Sequence, residues 1–584
     1  MYPKEENLSN YIKKAKKIEK IEHQKRIKIA ILSNFTITGL AESIRVKCHK
    51  INVDCSSYVS GYNQYNQEIL NLESKLHQFK PEITFLVIDS KNLFKGNYDI
   101  FHTKSIEKKK EFVNEKLEEL LILVKTFAEK SKSKIIISNL SIPSYSPLGI
   151  LEMKNYGISQ MILDFNEKLK TRLKDQDSIY VYDLFQFYYR FGEQNITDPQ
   201  KIVMGDIKIS FNHIPYLAEE FLGYIKPFLG LNKKCIVLDL DNTLWGGIVG
   251  EDGFNGIKLG PDPLGNIFVE FQHWLLSLHN RGIILAINSK NNFDEAIRVI
   301  QDHKYMVLKE KHFASIRINW KDKIQNMKEI AEEINIGLDS IVFFDDDPRN
   351  CEIVKTALPE VLTINLPKDP LFYLPLIQNM NDFNTLKITD EDRKRGEIYH
   401  IQKQRVELKA KTNNLEEYLK KLETKVTVKD LDESTLSRIS QLTMKTNQFN
   451  LTTKRYPEEK IKAMMNNSQM MVGCVQVEDK FGDNGITGAF IIKSENNEEW
   501  YIDTFLLSCR VIGREIEQAI MSHIVEKAKK EGLKRIIAEF ISTKKNSPAS
   551  DFLENCGFEN EGKYWIFDLS KEFKRPISIS VDIK

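Results

Sequence analysis

The sequence predicts a multidomain α/β chain in which two parallel-sheet domains precede a mixed α+β domain. Three observations carry that prediction. The 584 residues are roughly four times a typical domain length of about 150, so one compact core is excluded. Short β-branched runs alternate with helical text twice over before Pro375, the mark of βα units building a parallel sheet. Beyond Pro375 the pattern changes to strand-like runs around one helix. With 41% hydrophobic, 10% aromatic and 28% charged residues, the composition is that of an ordinary globular protein, which excludes disordered and fibrous classes.

In chain order, Lys13 to Lys20 is rich in lysine but interleaved with Ile18 and Glu19, so it reads as a solvated helix face. IKIAIL from Ile27, a helical stretch, EITFLVID, a helix near 108–131, KIIISNL and SIYVYDLF form a first domain over 1–232. CIVLDL, GIILAINS and SIVFFDDDP, with helical text between them, form a second over 233–388. Thr389 before Asp390, Glu391 and Asp392 reads as an N-cap with an acidic first turn, opening a helical linker over 389–425. KVTVKDL, MMVGCVQVED, GAFIIKS, WYIDTFLLSC, the helix Glu515 to Lys530 and RIIAEFI make the last domain, 426–584.

The 84 basic and 82 acidic side chains leave +2, so no global field attracts nucleic acid or an anionic membrane. Seven cysteines without a CxxC pair suggest neither a disulfide framework nor a zinc knuckle. No run approaches the roughly 18 apolar residues of a membrane span. A reduced, cytoplasmic protein is expected.

The sharpest chemical signal is CIVLDLDNTLWGG, which delivers Asp239 and Asp241 to a strand tip, one residue apart. Paired carboxylates there make a hard oxygen site that suits Mg²⁺ and repels phosphate unless a cation is present. Ser289 ends the strand GIILAINS, Lys323 stands in NWKDK, and Asp345 and Asp346 end SIVFFDD. All fall at carboxyl ends of strands or on the following helix, where open α/β sheets bind ligands.

This set resembles the four motifs of the haloacid dehalogenase superfamily of phosphatases. The resemblance implies that Asp239 attacks phosphorus and that Asp241 protonates the leaving oxygen and then activates water. It further implies that Ser289 and Lys323 hold phosphoryl oxygens beside Thr243 and Asn288. Asp239, Asp241, Asp345 and Asp346 would hold Mg²⁺, with the direct ligand among the last two left open. Asp239 to Ser289 is 50 residues and Ser289 to Lys323 is 34. Neither gap holds a cap domain, so the site is expected to take a macromolecular substrate or to be covered by a neighbouring domain.

DLDNTLWGGIVGEDG, NIGLDSIVFFDDDP, KTNQFNLTTKRY, DKFGDNGITG, SCRVIGRE and STKKN together resemble the FkbH-like proteins of polyketide assembly lines. That family implies a glyceryl transferase and phosphatase. Such an enzyme takes the acyl group of 1,3-bisphosphoglycerate, removes phosphate and loads the glyceryl unit onto the phosphopantetheine thiol of an acyl carrier protein. The last domain is similar to the GCN5-related N-acetyltransferase fold, whose pyrophosphate loop would be Arg510 to Glu515, with Arg510, Gly513 and Arg514 at the phosphate. Glu515 stands where that fold has a small residue. Cys509 precedes two arginines and a helix start, a setting that lowers a thiol's pKa. It is a candidate acyl relay or a small residue filling a strand end. Asn447, Gln448, Asp483, Asn484 and Asn546 are candidate contacts to the acyl group or the pantetheine amides.

The first domain is similar to the SGNH-hydrolase sheet, with Ser33 and His213 in place of its Ser and His. The Asp expected three residues before that His is Ser210, so the triad is incomplete and the domain reads as a scaffold or docking surface. Two alternatives stand beside acyl loading. One is a Mg²⁺-dependent phosphatase on a sugar or protein phosphoester fused to an N-acyltransferase of glycan or antibiotic synthesis. The other is a non-catalytic assembly protein that docks carrier proteins.

Overall fold

The computed structural model describes residues 7–19, 21–94, 104–334, 336–388, 405, 408, 412, 414–496, 498–543, 545–576 and 579–583. The chain divides into two compact units, Met1–Ile225 and Lys226–Lys584.

The first unit is built on a parallel five-stranded sheet in the order β2-β1-β3-β4-β5, with β1 Lys25–Ser33, β2 Val53–Val59, β3 Ile83–Val87, β4 Lys134–Ser138 and β5 Ile179–Tyr182. Ile29, Ala30, Ile31 and Leu32 are all buried, as expected for a strand covered on both faces. The expected helix near 108–131 is Ile106–Lys130, with Ser105 accepting from Lys108 N as its cap. The Lys-rich start is a helix, Leu8–Ile18, that buries Leu8, Tyr11 and Ala15 and leaves its lysines facing out. The stretch after β1, read from sequence as helical, also contains β2, whose text VDCSSYV is half exposed and lacks an apolar run.

The second unit opens with another parallel sheet, in the order β10-β9-β6-β7-β8. Its strands are β6 Cys235–Leu238, β7 Ile284–Ser289, β8 Phe313–Ile318, β9 Ile341–Asp345 and β10 Leu362–Asn365. Strand order reverses between β6 and β9, and a crevice at the carboxyl ends of two such strands is where open α/β sheets place ligands. Between β6 and β7 lie only the short helix Val249–Asp252 and the helix Pro263–Asn280, and between β7 and β8 only Phe293–Asp302 and one 3₁₀ turn. This domain therefore has no inserted cap.

The second sheet of that unit runs β17-β18-β16-β15-β14-β13-β11-β19, with β12 Phe449–Asn450 paired to β15. Its strands are β11 Lys425–Asp430, β13 Met470–Asp479, β14 Gly482–Asn496, β15 Glu499–Leu507, β16 Arg535–Glu539, β17 Glu559–Glu561, β18 Tyr564–Asp568 and β19 Ser580–Ile583. Most neighbours are antiparallel, but β15 pairs parallel with β16. The helix Ile516–Lys530 covers one face with Ile516, Ile520, Ile524 and Val525, each contributing about 1.5–3 kcal/mol on burial. This is the mixed α+β domain expected from the sequence. The helix expected from Thr389 to about Lys411 lies almost wholly outside the described residues; Leu415–Leu422, after it, is helical.

Candidate active site

Strand β6 carries Asp239 to the switch point, where its N–H still pairs with Phe344 O at 3.0 Å. The chain then turns sharply. Asn242 adopts φ +52°, a left-handed conformation that Asn tolerates better than most residues. Its Oδ1 accepts from Gly247 N at 2.8 Å, and its carbonyl accepts from the Tyr373 hydroxyl at 2.7 Å. Gly247 has φ +94°, and a Cβ there would meet Asp252 Oδ2 at 2.3 Å, so any other residue there would be strained. The buried amide of Gln272 donates to Leu244 O at 2.7 Å and accepts from Val307 N and Leu308 N, tying the root of this flap to a helix and a distant loop.

The helix Lys323–Glu333, capped by Asp322, presents Lys323 between two acids. Lys323 Nζ lies 2.9 Å from Asp239 Oδ1 and 2.5 Å from Asp345 Oδ2. Asp345 is fully buried, and its other oxygen accepts from Asp347 N at 2.8 Å. Asp239, Asp345 and Asp346 each bring an oxygen within 4.8 Å of the others. Three carboxylates against one ammonium leave excess negative charge in hard oxygen donors, a set that suits a divalent cation such as Mg²⁺. Burial, then Asp239, then Asp345 push the Asp346 carboxyl up to about 6. Burial pulls the Lys323 ammonium down, but Asp239 and Asp345 more than offset this and its pKa is raised.

Asp241, expected in the metal set, is not one of that trio of clustered carboxylates. Its Oδ1 accepts from Trp245 Nε1 at 2.8 Å and Val249 N at 3.0 Å, and its Oδ2 from Asn291 Nδ2 at 2.8 Å. Burial first, and Asp239 next among the raising influences, lift its pKa although these donors pull the other way. Asn288, expected at the substrate, is fully buried; its Nδ2 donates to Lys323 O at 2.9 Å and its Oδ1 accepts from Asn326. It ties the start of the Lys323 helix to the end of β7. Ser289 closes β7 and is 1% exposed, and Thr243 is fully buried. Asn291, Trp245 and Asn326 were not singled out from sequence, because single polar or aromatic residues without a motif spacing carry no chemical signal.

In the last domain, Cys509 opens a 3₁₀ turn at the end of β15 and is the one cysteine of the seven that is not buried. It lines a cavity of about 390 Å³ that Asn447, Gln448 and Arg510 also line. Arg510 is buried and its Nε donates to Ser508 Oγ at 3.3 Å. Arg514, expected at a phosphate, is turned inward. It pairs with Asp479 Oδ2 at 3.2 Å and donates to Arg510 O at 2.8 Å, while Arg405 takes the same Asp479 with two bonds. Burial pulls its guanidinium down to about 10. Gly513 is exposed at φ +75°, and Glu515 holds φ +59° just before the helix Ile516–Lys530. Asp483 and Asn484 belong to the β13–β14 hairpin, where Asp483 accepts from Gly485 N and Asn484 donates to Asp479. Asn546 joins the carbonyls of Asn450 and Ile541.

In the first unit Ser33 Oγ accepts from Phe35 N at 3.2 Å. Ser210 Oγ and His213 Nδ1 are 2.8 Å apart, so the serine occupies the position of the missing acid. Ser33 and His213 share no hydrogen bond among the described residues.

No curated protein matches the sequence. Residues 28–226 match the family model of the FkbH N-terminal domain. The N-terminal part of a Bacteroides fragilis protein, containing a phosphatase domain and solved in complex with Mg, is 27% identical, with a TM-score of 0.59 over 65% of this chain and 100% of that one. A domain from Methanocaldococcus jannaschii (14% identity, TM-score 0.21) covers 25% of this chain and 97% of its own. Spermidine N-acetyltransferase from Vibrio cholerae, in complex with CoA and spermine (14%, 0.20), covers 25% of this chain and 96% of its own. Among the described residues no helix is long and apolar enough to cross a membrane. Residues 28–226 are thus similar to the FkbH N-terminal domain, and the resemblance to the Bacteroides fragilis protein, which contains a phosphatase domain, extends over 65% of the chain.

Proposed function

We propose that this protein is a Mg²⁺-dependent glyceryl transferase and phosphatase that loads a glyceryl unit from 1,3-bisphosphoglycerate onto the phosphopantetheine thiol of an acyl carrier protein. The observation that carries the phosphoryl half is Lys323 Nζ bridging Asp239 and Asp345 beside Asp346. The match of residues 28–226 to the FkbH family supports the transfer half.

Asp239, Asp345 and Asp346 would hold Mg²⁺, which when bound supplies charge neutralisation at phosphoryl oxygens. The Asp239 carboxylate attacks the phosphorus of the 3-phosphate and the bond to the C3 oxygen breaks, which leaves the acyl group available for transfer. Asp241, oriented by Trp245, Val249 and Asn291, gives that oxygen its proton and takes one from water in the second half. Lys323 stabilises charge as it builds on the phosphoryl group. The Cys509 thiolate attacks the C1 carbonyl carbon of the acyl phosphate, the carbonyl C–O bond to the 1-phosphate breaks and phosphate leaves with the proton the thiol gave up, so that Cys509 carries the acyl group as a thioester. The arm's thiolate attacks the carbonyl carbon, the bond to Cys509 Sγ breaks, and the released thiolate takes the proton that the arm's thiol gave up, so no further reactant is consumed.

Intact-mass spectrometry of a holo carrier protein incubated with this protein, Mg²⁺ and 1,3-bisphosphoglycerate generated in place tests the reading. A glyceryl-sized gain without phosphate supports it. Phosphate release from generic phosphoesters with no gain on the carrier replaces it with a plain phosphatase, the activity named for the Bacteroides fragilis domain.

A further inference from the structure

The cavity beside Cys509 is not confined to the last domain. Its other wall is Lys234, the turn Gly337–Ser340 and Glu360 of the phosphatase-type domain. All of these stand just before β6, β9 and β10, at the amino ends of the strands whose carboxyl ends carry Asp239 and Asp345. Lys234 and Asp239 are five residues apart along β6, about 16 Å at the rise of a strand. Lys545 and Asp339 form an ion pair across the cavity's two walls.

The lining has three chemical features. Lys234, Arg438, Lys445, Arg510 and Lys545 outnumber the acids Asp339 and Glu360, which makes the space electropositive. Gln441, Asn447 and Gln448 supply amides that both donate and accept hydrogen bonds. Cys509 supplies the thiol. A volume of about 390 Å³ falls at the lower end of small-ligand pockets, about 300–1,000 Å³.

We propose that this cavity is the dock for a phosphate-bearing pantetheine thiol, built jointly by the two domains at the pole of the phosphatase-type sheet opposite Asp239. The cations meet the phosphate, the amides meet the two amide groups of the arm, and the thiol end reaches Cys509. The inference rests on the transfer reading above and adds to it a place and a second wall. Phosphoryl chemistry and thioester exchange then occupy separate sites, so the acyl unit crosses between them.

The test follows alkylation of Cys509 by iodoacetamide in the full chain, read by intact mass; the six other cysteines are buried. S-methyl phosphopantetheine, which cannot itself be alkylated at sulfur, is expected to slow labelling about tenfold at saturation by occupying the site. S-methyl pantetheine, lacking the phosphate, is expected to protect at least about fivefold less at equal concentration. Lys445→Glu and Lys234→Gln are each expected to abolish most of the protection, the second because the far wall belongs to the phosphatase-type domain. Equal protection by both compounds, or none, overturns the dock, and full protection in Lys234→Gln overturns the shared wall. Protection without glyceryl gain on a carrier leaves the dock standing and removes the transfer reading. Carrier loading without protection removes the dock alone.

Discussion

Lys323 Nζ lies 2.5 Å from Asp345 Oδ2 with both side chains buried. A buried ion pair gains its attraction only against the cost of stripping water from both charges, and removing one partner leaves the other uncompensated. Lys323→Met is therefore expected to cost about 3–5 kcal/mol of stability and to lower phosphate release about 10²–10³-fold. Thermal unfolding and a phosphate-release assay on the same sample check the two effects.

Asp239→Asn keeps the side chain's shape and removes the attacking oxygen's charge. Phosphate release is expected to fall by about 10³-fold or more, and glyceryl gain on a carrier is expected to vanish with it. The far-ultraviolet circular dichroism spectrum is expected to stay unchanged.

Chelation bears on the cluster of Asp239, Asp345 and Asp346. Treatment with EDTA is expected to abolish phosphate release, and returning Mg²⁺ to restore it. Mg²⁺ is also expected to add about 2.7 kcal/mol of stability at a hundredfold excess over its dissociation constant, and so to raise the melting temperature. In the Asp345→Ala variant the Mg²⁺-dependent rise is expected to be lost, which differential scanning calorimetry reads directly.

Glu517 is buried in the helix Ile516–Lys530 with Oε2 unpartnered among the described residues, and burial pushes its carboxyl up to about 7. In the unfolded chain the same group titrates near 4.3. Between those two values the folded protein binds the extra proton, so stability falls as pH rises from about 4.3 to about 7 and levels off above. Glu517→Gln is expected to stabilise on the order of 3 kcal/mol at pH 8 and almost nothing at pH 4. Urea unfolding at the two pH values checks the difference.

Asp503 shows the opposite sign. Burial alone would raise its pKa, but Lys493 at 2.6 Å, the Tyr456 hydroxyl at 2.6 Å and Lys454 at 2.9 Å hold it down at about 2. Its contribution, about 2 kcal/mol, is present above about pH 4 and lost as pH falls toward 2. Asp503→Asn is expected to be less stable than the parent at pH 7 and to converge with it near pH 2.

Central strands were legible because burial on both faces demands a continuous apolar run, as in CIVLDL and SIVFFDD. The strands β2, β8 and β10 carried no such run, and all three are edge strands. An edge strand has one neighbour and a wet side, so texts such as VDCSSYV and FASIRI look like loop or helix. At the site, the order of Asp239, Lys323 and Asp345 along the chain placed them at one crevice because strand ends converge there by topology. Side-chain direction was not legible. Asp241 turns to Trp245 and Asn291, Asn288 to Lys323, and Arg514 to Asp479, each drawn by a partner 4 to 50 residues away. Arg438 and Gln441 of the cavity wall fall outside every motif, since a concave surface made by two domains has no linear signature.

The Gln272 amide that stitches Leu244, Val307 and Leu308 together bears on how fast the Asp239 site can work. Three backbone segments share one buried side chain, so the flap root moves only if all three move together. With neither a hinge there nor a mobile cap, a turnover at this site is expected to show no lag from an opening step.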